Sequence, residues 1–419
     1  MNFKSYYVES TTQEDFLKKA LSPELRSQIY RSGGKIYQIG GAVRDELIGK
    51  ISKDLDIIVV GLEMDELENI LRRFGRTDAV GKSFGILKFK PHGFDKDDEP
   101  VDVSVPRVDS KSTGSGHKDF EVQLGKGITL SQDQLRRDFF MNALAKDIET
   151  GQIHDVEGQG MDDIKKKQVR MISPRSFQED PLRMIRAIQQ ASRFEFTIEP
   201  KTMEEIQKNA HLIKTVSPDR FMEEFKKLFV KSRRPSIGVR LLNETGIMKE
   251  MFPTLKHSKE DYEAMDRLNK EEFPAFMTMF LHPIGTPSEV LDAVQQLRSS
   301  NELGHIIGHA TAFLGQHGAS PSDLDLVKFN MTVKPEVLHT IDVINKSYGK
   351  RANLVDRLDK MRRDKIPTNL KELSVRGDTL LSLGLKGQQI GKALDMMLTY
   401  AVIHKTNDPE KLTGLLNLR

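Results

Sequence analysis

The sequence predicts an α+β fold, in which an N-terminal sheet domain is followed by helical domains. Up to about residue 150, short apolar runs such as "KIYQIGG", "LDIIVV", "GILKFK" and "VDVSV" alternate with turn residues around one amphipathic helix. Beyond that point apolar residues recur at helical spacing, as in "PLRMIRAIQQASRF" and "DRFMEEFKKLFV". A chain of 419 residues is too long for a single core, so we expect several domains.

The composition excludes several classes of protein. Hydrophobic residues make up 37% and charged residues 30% of the chain, which is typical of a soluble globular protein. No apolar run approaches the roughly 18 residues of a membrane span, and no secretory signal is evident, so we expect a cytoplasmic protein without membrane contact. The absence of cysteine excludes disulfides, thiol catalysis and cysteine-ligated zinc.

Positive charge is concentrated towards the C-terminus. Residues 350 to 419 contain 14 Lys and Arg against 8 Asp and Glu, a sum of +6, whereas the whole chain carries +3. The remainder therefore sums to −3. Such a basic segment suits binding to a polyanion, although solvated helix faces give the same count.

A paired glycine turn and a pair of acids lie close together in the sequence. In "QIGGAVRDELIG", Gly40 and Gly41 follow a strand and open a helix, so backbone N–H groups can hold a phosphate there. In "KDLDIIVV", Asp54 and Asp56 lie on one face of a strand. Two like charges so close need a cation between them or a shared proton. Alternatively, Asp54 lies in the turn and Asp56 caps a neighbouring group.

The glycine turn and the acids together predict a nucleotide site. Glycines that hold a triphosphate, followed within about 15 residues by two acids that hold Mg²⁺, form the arrangement that nucleotidyl transfer requires. Asp102, in "VDVSV", is a third acid that either completes or orients this site or lies on the surface.

Two further segments carry candidate ligand contacts. In "RRDFFMNALAKD", Arg136 and Arg137 are candidates for phosphate binding. Asp138 is a candidate for the ribose hydroxyls, and Asn142 is predicted on the same helix face. The alternative is that these residues only cap and charge a helix.

In "EDPLR", Asp180 and Arg183 are predicted to share a face at the start of a helix. A carboxylate beside a guanidinium matches the amino donor and ring-nitrogen acceptor of cytosine and adenine, and it clashes with guanine and uracil. The pair therefore predicts selection of C and A. The alternative is an ordinary helix salt bridge.

Two other patterns are rejected as sites. "GRTDAVGKS" has five residues between its glycines where a phosphate loop has four, and a strand is predicted after it. His305 and His309 lack an accompanying glutamate, so we expect ordinary histidines on a packed helix.

Together these segments resemble the family of class II tRNA nucleotidyltransferases and bacterial poly(A) polymerases. "GGAVRD" with "DLD", "RRDFFMNALAKD", "HDVEGQGMDDI", "EDPLRMIRAIQQASRF" and "SPDRFMEEFKKLF" match its motifs in order, over roughly residues 35 to 230. Phe140-Met141 stand where the family often has Thr-Ile or Thr-Met. The resemblance implies a nucleotidyltransferase-type sheet head over residues 1–150, a neck over 151–235, a body over 236–349 and a tRNA-contacting tail over 350–419.

The resemblance also implies roles for individual residues. Asp54 and Asp56 would bind the catalytic Mg²⁺, with Asp102 as a third catalytic acid. The implied nucleotide-binding residues are Gly40, Gly41, Arg44, Arg136, Arg137, Asp138, Asn142, Asp180, Arg183 and Arg186.

Two segments favour CCA addition within this family. "VGKSFGILKF" is similar to the CCA-adding branch, and the Gly/Ser-rich "RVDSKSTGSGHKDFEV" disfavours an enzyme that adds CC alone. The expected substrates are tRNA, CTP and ATP. An A-only adding enzyme, a poly(A) polymerase and a non-catalytic RNA-binding relative remain as alternatives, and the sequence leaves the oligomeric state open.

Overall fold

The structure is a computed structural model that describes residues 16–50, 55–81, 85–95, 98–109, 122–351 and 353–418. Asp54 and most of the Gly/Ser-rich segment lie outside these residues. The chain forms two compact units that divide between Asn209 and Ala210. The α+β class is confirmed, because the first unit contains a sheet and the second is helical, whereas the division into head, neck, body and tail stays a prediction.

The first unit contains a seven-stranded mixed sheet with the strand order β3-β4-β5-β2-β1-β8-β9. Strands β2 and β5 are parallel, and the other neighbours are antiparallel. Two short pairs, β6 with β7 and β10 with β11, stand apart from it. The strands are β1 Lys35–Ile39, β2 Asp56–Val60, β3 Gly75–Gly81, β4 Ile86–Pro91, β5 Val101–Ser104, β6 Arg107–Asp109, β7 Val122–Leu124, β8 Ala145–Asp147, β9 Ile153–His154, β10 Gln168–Val169 and β11 Thr197–Ile198.

Helices cover one face of this sheet. The α-helices of the first unit that have both ends within the described residues are α1 Pro23–Arg31, α2 Gly41–Leu47, α3 Met64–Leu71, α4 Leu130–Leu135, α5 Gln159–Lys166, α6 Ser176–Glu179, α7 Leu182–Phe194 and α8 Pro200–Asn209. Side chains of α1 and α3 form one core with Ile57, Leu87 and Val103 of the sheet. Because side chains alternate along a strand, the neighbours Asp56 and Asp102 lie on the opposite face.

The predicted helical stripes are confirmed in both units. On α7 of the first unit, Leu182, Ile185, Ile188 and Phe194 are buried. The second unit comprises α9 Pro218–Lys231, α10 Pro235–Glu244, α11 Ile247–Met251, α12 Lys259–Asp266, α13 Phe273–Leu281, α14 Pro287–Gln296, α15 Asn301–His317, α16 Asp323–Asn330, α17 Pro335–Ser347, α18 Leu354–Arg363, α19 Gly377–Ser382, α20 Gln388–His404 and α21 Pro409–Gly414.

Aromatic side chains hold α9 against α13 in the second unit. The ring centroids of Phe225 and Phe280 are 4.7 Å apart, and those of Phe229 and Phe276 are 4.5 Å apart. On α15, the ring centroids of His305 and His309 are 4.2 Å apart in an edge-to-face arrangement, and their assignment as ordinary helix histidines stays a prediction. Among the described residues, every helix is too short or too polar to cross a lipid bilayer.

Candidate functional site

The glycine turn after β1 brings the candidate residues together. Gly40 has φ 74° and ψ −134°, a conformation that side-chain-bearing residues rarely adopt, and α2 begins at Gly41. A Cβ atom built on Gly40 would lie 3.3 Å from Nη1 of Arg137 and 3.9 Å from Oδ2 of Asp56. The turn therefore places the Gly40 backbone, the Asp56 carboxylate and the Arg137 guanidinium close enough to contact a single ligand.

The candidate acids lie side by side on neighbouring strands. Asp56 is the first residue of β2, and its partner in the parallel ladder is Asp102 on β5. The predicted strand position of Asp102 is therefore confirmed. On the other side, Lys88 of β4 faces Asp102, with Nζ 2.7 Å from Oδ1. Carboxylate oxygens are the donors that Mg²⁺ prefers, so the Asp56 carboxylate fits that ion, whereas the Asp102 carboxylate binds Lys88.

Both arginines of the "RRD" segment bind one buried carboxylate. Asp133 of α4 is fully buried. Its Oδ1 accepts from Nε and Nη2 of Arg136 at 2.9 and 2.6 Å. Its Oδ2 accepts from Nε and Nη2 of Arg137 at 3.3 and 3.0 Å. Asp133 was not among the residues predicted from the sequence, although its spacing of three and four residues from the arginines is a helical signal.

The predicted helix through "RRDFFMNALAKD" is wrong. Helix α4 ends at Leu135, Phe140–Asn142 form a single 3₁₀ turn, and β8 begins at Ala145. The physical reason is that β8 pairs with β1, which takes up the backbone hydrogen bonds that a helix would need. The predicted proximity survives without the helix, because Nδ2 of Asn142 donates to Oδ1 of Asp138 at 3.0 Å.

Asp138 is buried between several donors. Its Oδ2 accepts from Nε and Nη2 of Arg186 at 2.8 and 2.6 Å. Burial alone would raise the pKa of the Asp138 carboxyl, but Arg186 and the Asn142 amide hold it below its usual value. Asp138 therefore stays ionised. It holds Asn142 and Arg186 in place, two of the residues predicted to bind the nucleotide.

Arg44 extends this network to the glycine turn. Its guanidinium is buried, donates to Oδ1 of Asp45 at 2.6 Å, and also donates to Oδ1 of Asn142. The Phe194 ring lies 4.5 Å from its guanidinium carbon. Burial lowers the pKa of Arg44, and Asp45 opposes this effect. Since its donors are directed at protein groups, Arg44 orients Asn142.

The "EDPLR" segment differs from the prediction in one respect. Helix α7 begins at Leu182, so Asp180 precedes the helix and does not share a helical face with Arg183. Asp180 has an extended backbone, and its Oδ1 accepts from the Leu182 N–H at 3.2 Å, which is why the helix starts after it. The Arg183 N–H still donates to the Asp180 carbonyl at 3.0 Å, so the two residues form one turn.

Arg183 connects this turn to the arginine pair. Its Nη1 donates to Ser176 Oγ at 2.8 Å, and its Nη2 donates to the Arg136 carbonyl at 3.0 Å. It also lies 3.4 Å from Oε2 of Glu179. The candidates for base and phosphate recognition therefore share one hydrogen-bonded frame.

The two buried acids predict a loss of stability in acid. Burial favours a raised pKa for Asp133 and Asp138, but the adjacent guanidinium groups hold both below the usual 3.8. Stability from such a group is complete above the unfolded pKa and is lost as pH falls through the folded pKa. We expect the urea midpoint to fall as the pH is lowered below the usual carboxyl pKa of 3.8, and to fall less steeply in Asp138→Asn than in the parent protein. An equal pH dependence of the urea midpoint in the parent and in Asp138→Asn would contradict this prediction.

The site and the sheet together define a nucleotidyltransferase-type head. Residues 36–170 match the family described as "Poly A polymerase head domain", and residues 195–259 match "Probable RNA and SrmB- binding site of polymerase A". The two matched segments, together with the relatives and solved structures described next, support the family of CCA-adding enzymes and poly(A) polymerases.

Known proteins resemble the chain over different lengths. It is 28% identical to a CCA-adding enzyme of Pseudomonas putida, over 86% of this chain and 96% of that protein. It spans about half the length of other relatives that it matches, such as the multifunctional CCA protein of Xanthomonas campestris, to which it is 33% identical over 53% of this chain and 51% of that protein. The structure of Bacillus stearothermophilus CCA-adding enzyme in complex with CTP shares the fold, with a TM-score of 0.71 and 24% identity over 96% of both chains. Thermotoga maritima CCA-adding enzyme complexed with tRNA has a TM-score of 0.64 and 20% identity over 97% of this chain and 98% of that chain.

Proposed function

We propose that the protein is a tRNA nucleotidyltransferase that adds CCA to the tRNA 3′ end from CTP and ATP. One observation carries the proposal: the Gly40 turn lies against both the Asp56 carboxylate and the Arg137 guanidinium. Nucleotidyl transfer needs a metal-binding acid and a cation for the phosphates at the same place. The family relationship supports this assignment.

The acids serve the chemical step. Asp54 and Asp56 would hold Mg²⁺, which when bound supplies charge stabilisation to the attacking and leaving oxygens. The tRNA 3′-hydroxyl loses its proton to one of these carboxylates and attacks the α-phosphate in line. Pyrophosphate leaves as the new phosphodiester bond forms. Asp102, held by Lys88, would orient this pair of acids.

The arginines bind the triphosphate. Arg107 adds a third guanidinium to the cluster, because its backbone N–H donates to Asp133 and its charge acts on Arg136. Three guanidinium groups and one carboxylate sum to +2, which favours binding of a polyanion. The backbone N–H of Gly41, the first residue of α2, adds a donor for the same phosphates, whereas the Gly40 N–H donates to the Leu144 carbonyl at 3.1 Å.

The remaining residues bind the sugar and the base. Asp138 and Asn142, fixed by Arg186 and Arg44, would contact the ribose. Asp180 and Arg183 would present a carboxylate and a guanidinium to the Watson–Crick edge of the incoming C or A. The basic residues 350–419 would contact the tRNA by its phosphates and helical shape.

One assay distinguishes this function from its alternatives. The protein is incubated with Mg²⁺ and either each single nucleoside triphosphate or CTP and ATP together. The RNA is a tRNA that ends before CCA, a tRNA that ends in CC, or an unrelated RNA. Addition of CCA followed by a stop is the expected result. Addition of A alone to tRNA ending in CC would identify an A-adding enzyme, and poly(A) on any RNA would identify a poly(A) polymerase. No incorporation with any substrate would favour a non-catalytic RNA-binding protein.

Replacing Arg183 with alanine is expected to reduce base selection more than it slows the chemistry. We expect the preference for CTP and ATP over GTP and UTP to fall about tenfold or more, because the guanidinium no longer rejects the ring N–H of G and U. Misincorporation kinetics with each nucleotide measure this effect. Arg175→Ala, a change at an exposed arginine eight residues away, is the control. Unchanged discrimination in Arg183→Ala would contradict the role in base recognition.

A further inference from the structure

We infer that Asp133 is a positioning residue that fixes Arg136 and Arg137 in the orientation that binds the triphosphate. The inference rests on the proposed function, since it takes a nucleoside triphosphate as the ligand of these arginines. Asp133 itself would not contact the nucleotide. Its effect on binding would pass through the two guanidinium groups.

Asp133 binds both arginines by the same edge of their guanidinium groups. Each oxygen of Asp133 accepts two N–H groups of one arginine, so the carboxylate binds the Nε and Nη2 edge of both guanidinium groups. This pairing turns the Nη1 end of Arg137 towards the glycine turn, where it approaches Gly40. The Asp133 carboxylate thus orients the guanidinium groups of two consecutive residues, Arg136 and Arg137.

Burial restricts the motion of the Asp133, Arg136 and Arg137 side chains. Asp133 is completely buried, and the side chains of Arg136 and Arg137 are only 21% and 18% exposed. Charge-assisted hydrogen bonds in such an environment are strong, and bidentate pairing fixes the guanidinium plane. The arginine side chains therefore lose little conformational freedom when a ligand binds, which improves affinity.

Asp133 also ties the arginines to a third element. Its Oδ1 accepts from the backbone N–H of Arg107 at 3.2 Å, at the first residue of β6. The carboxylate thereby joins α4 to β6, which pairs with β7. A single negative charge among three arginines leaves surplus positive charge for an anionic ligand.

Nucleotide affinity and folding stability separate this role from a merely structural one. Asp133→Asn keeps the shape but removes the charge, and Asp133→Glu keeps the charge but shifts it by one methylene. The matched control is Asp163→Asn, because Asp163 is another fully buried acid of the first unit and accepts from Arg170 at 2.9 Å. All variants are compared by thermal melting, and CTP and ATP binding is measured by titration calorimetry with Mg²⁺ and without tRNA.

We expect Asp133→Asn to weaken CTP and ATP binding about 10- to 100-fold, because misplaced cations lose their alignment with the phosphates. Steady-state kinetics should show a raised KM for both nucleotides, with a smaller change in kcat. Asp133→Glu should restore part of the affinity, whereas Asp163→Asn should lower the melting temperature and leave nucleotide affinity unchanged.

Failure of the positioning role and failure of the proposed function would give different results. A folded Asp133→Asn protein that binds CTP as tightly as the parent would overturn the positioning role. If that variant does not fold, a folded Asp133→Glu protein with parental affinity and KM would do so. A parent protein that binds neither CTP nor ATP would instead contradict the proposed function.

Discussion

Replacing Asp56 with alanine is expected to abolish nucleotide incorporation, by about a thousandfold or more, without unfolding the protein. Asp56 lies on the face of the sheet opposite α1 and α3, beside the Gly40 turn and next to Asp102. Removing its carboxylate would remove a ligand of Mg²⁺ and with it the charge stabilisation at the α-phosphate. Single-turnover incorporation of CTP into tRNA that lacks CCA measures the chemical step directly.

The fold should tolerate the Asp56 change because the side chain is outside the apolar core. Asp56 is partly exposed, while the three residues after it are buried and hold β2 in the sheet. Asp78→Ala, which removes an exposed acid from β3 of the same sheet, is the matched control and should leave incorporation near the parent rate. Near-normal turnover by Asp56→Ala, with an unchanged melting temperature, would refute the metal-binding role.

The sequence predicted the sheet side of the site because strand alternation is a local signal. An apolar run that begins with an acid, such as "DIIVV", can be buried only if that acid lies at the sheet edge or on its polar face. Asp56 and Asp102 follow this rule, and their strands are neighbours in the parallel ladder. The glycine turn was equally visible, since a paired glycine between a strand and a helix demands an unusual backbone conformation.

The sequence could not predict contacts that depend on distant strand pairing. Local periodicity in "RRDFFMNALAKD" is compatible with a helix, but β8 instead joins the edge of β1, more than 100 residues away in the chain. Propensity is a weak determinant where such a ladder is available. The bond from Arg44 to Asn142, which spans 98 residues, is invisible for the same reason.

Asp133 illustrates an error of a different kind. Its spacing from Arg136 and Arg137 was available in the sequence, but an acid near arginines on a helix surface is usually a solvated ion pair of little consequence. Only its complete burial shows that the carboxylate organises both arginines. Burial depends on the packing of the whole unit, and no local pattern in α4 reports it.

Replacing Asp138 with alanine is expected to lower the free energy of unfolding by about 3 kcal/mol and to weaken nucleotide binding. The buried carboxylate accepts hydrogen bonds from Arg186, from Asn142 and from the Phe139 N–H. Its loss would leave these donors without their acceptor. The cost falls at the lower end for a buried pair, because the Arg186 side chain is 37% exposed and can gain water.

The matched control for Asp138→Ala is Asp162→Ala in the same unit. Asp162 forms an exposed pair with Lys166 at 2.7 Å, so its removal should cost about 1 kcal/mol or less. Urea denaturation at neutral pH measures both changes, and CTP titration then tests binding under conditions where each variant is folded. Equal stability losses in the two variants would show that Asp138 does not organise the buried network. A loss confined to Asp138→Ala, accompanied by weaker CTP binding, would link the stability of this unit to its affinity for the nucleotide. The reason is that the same carboxylate holds the buried network together and orients Asn142, which is proposed to contact the ribose.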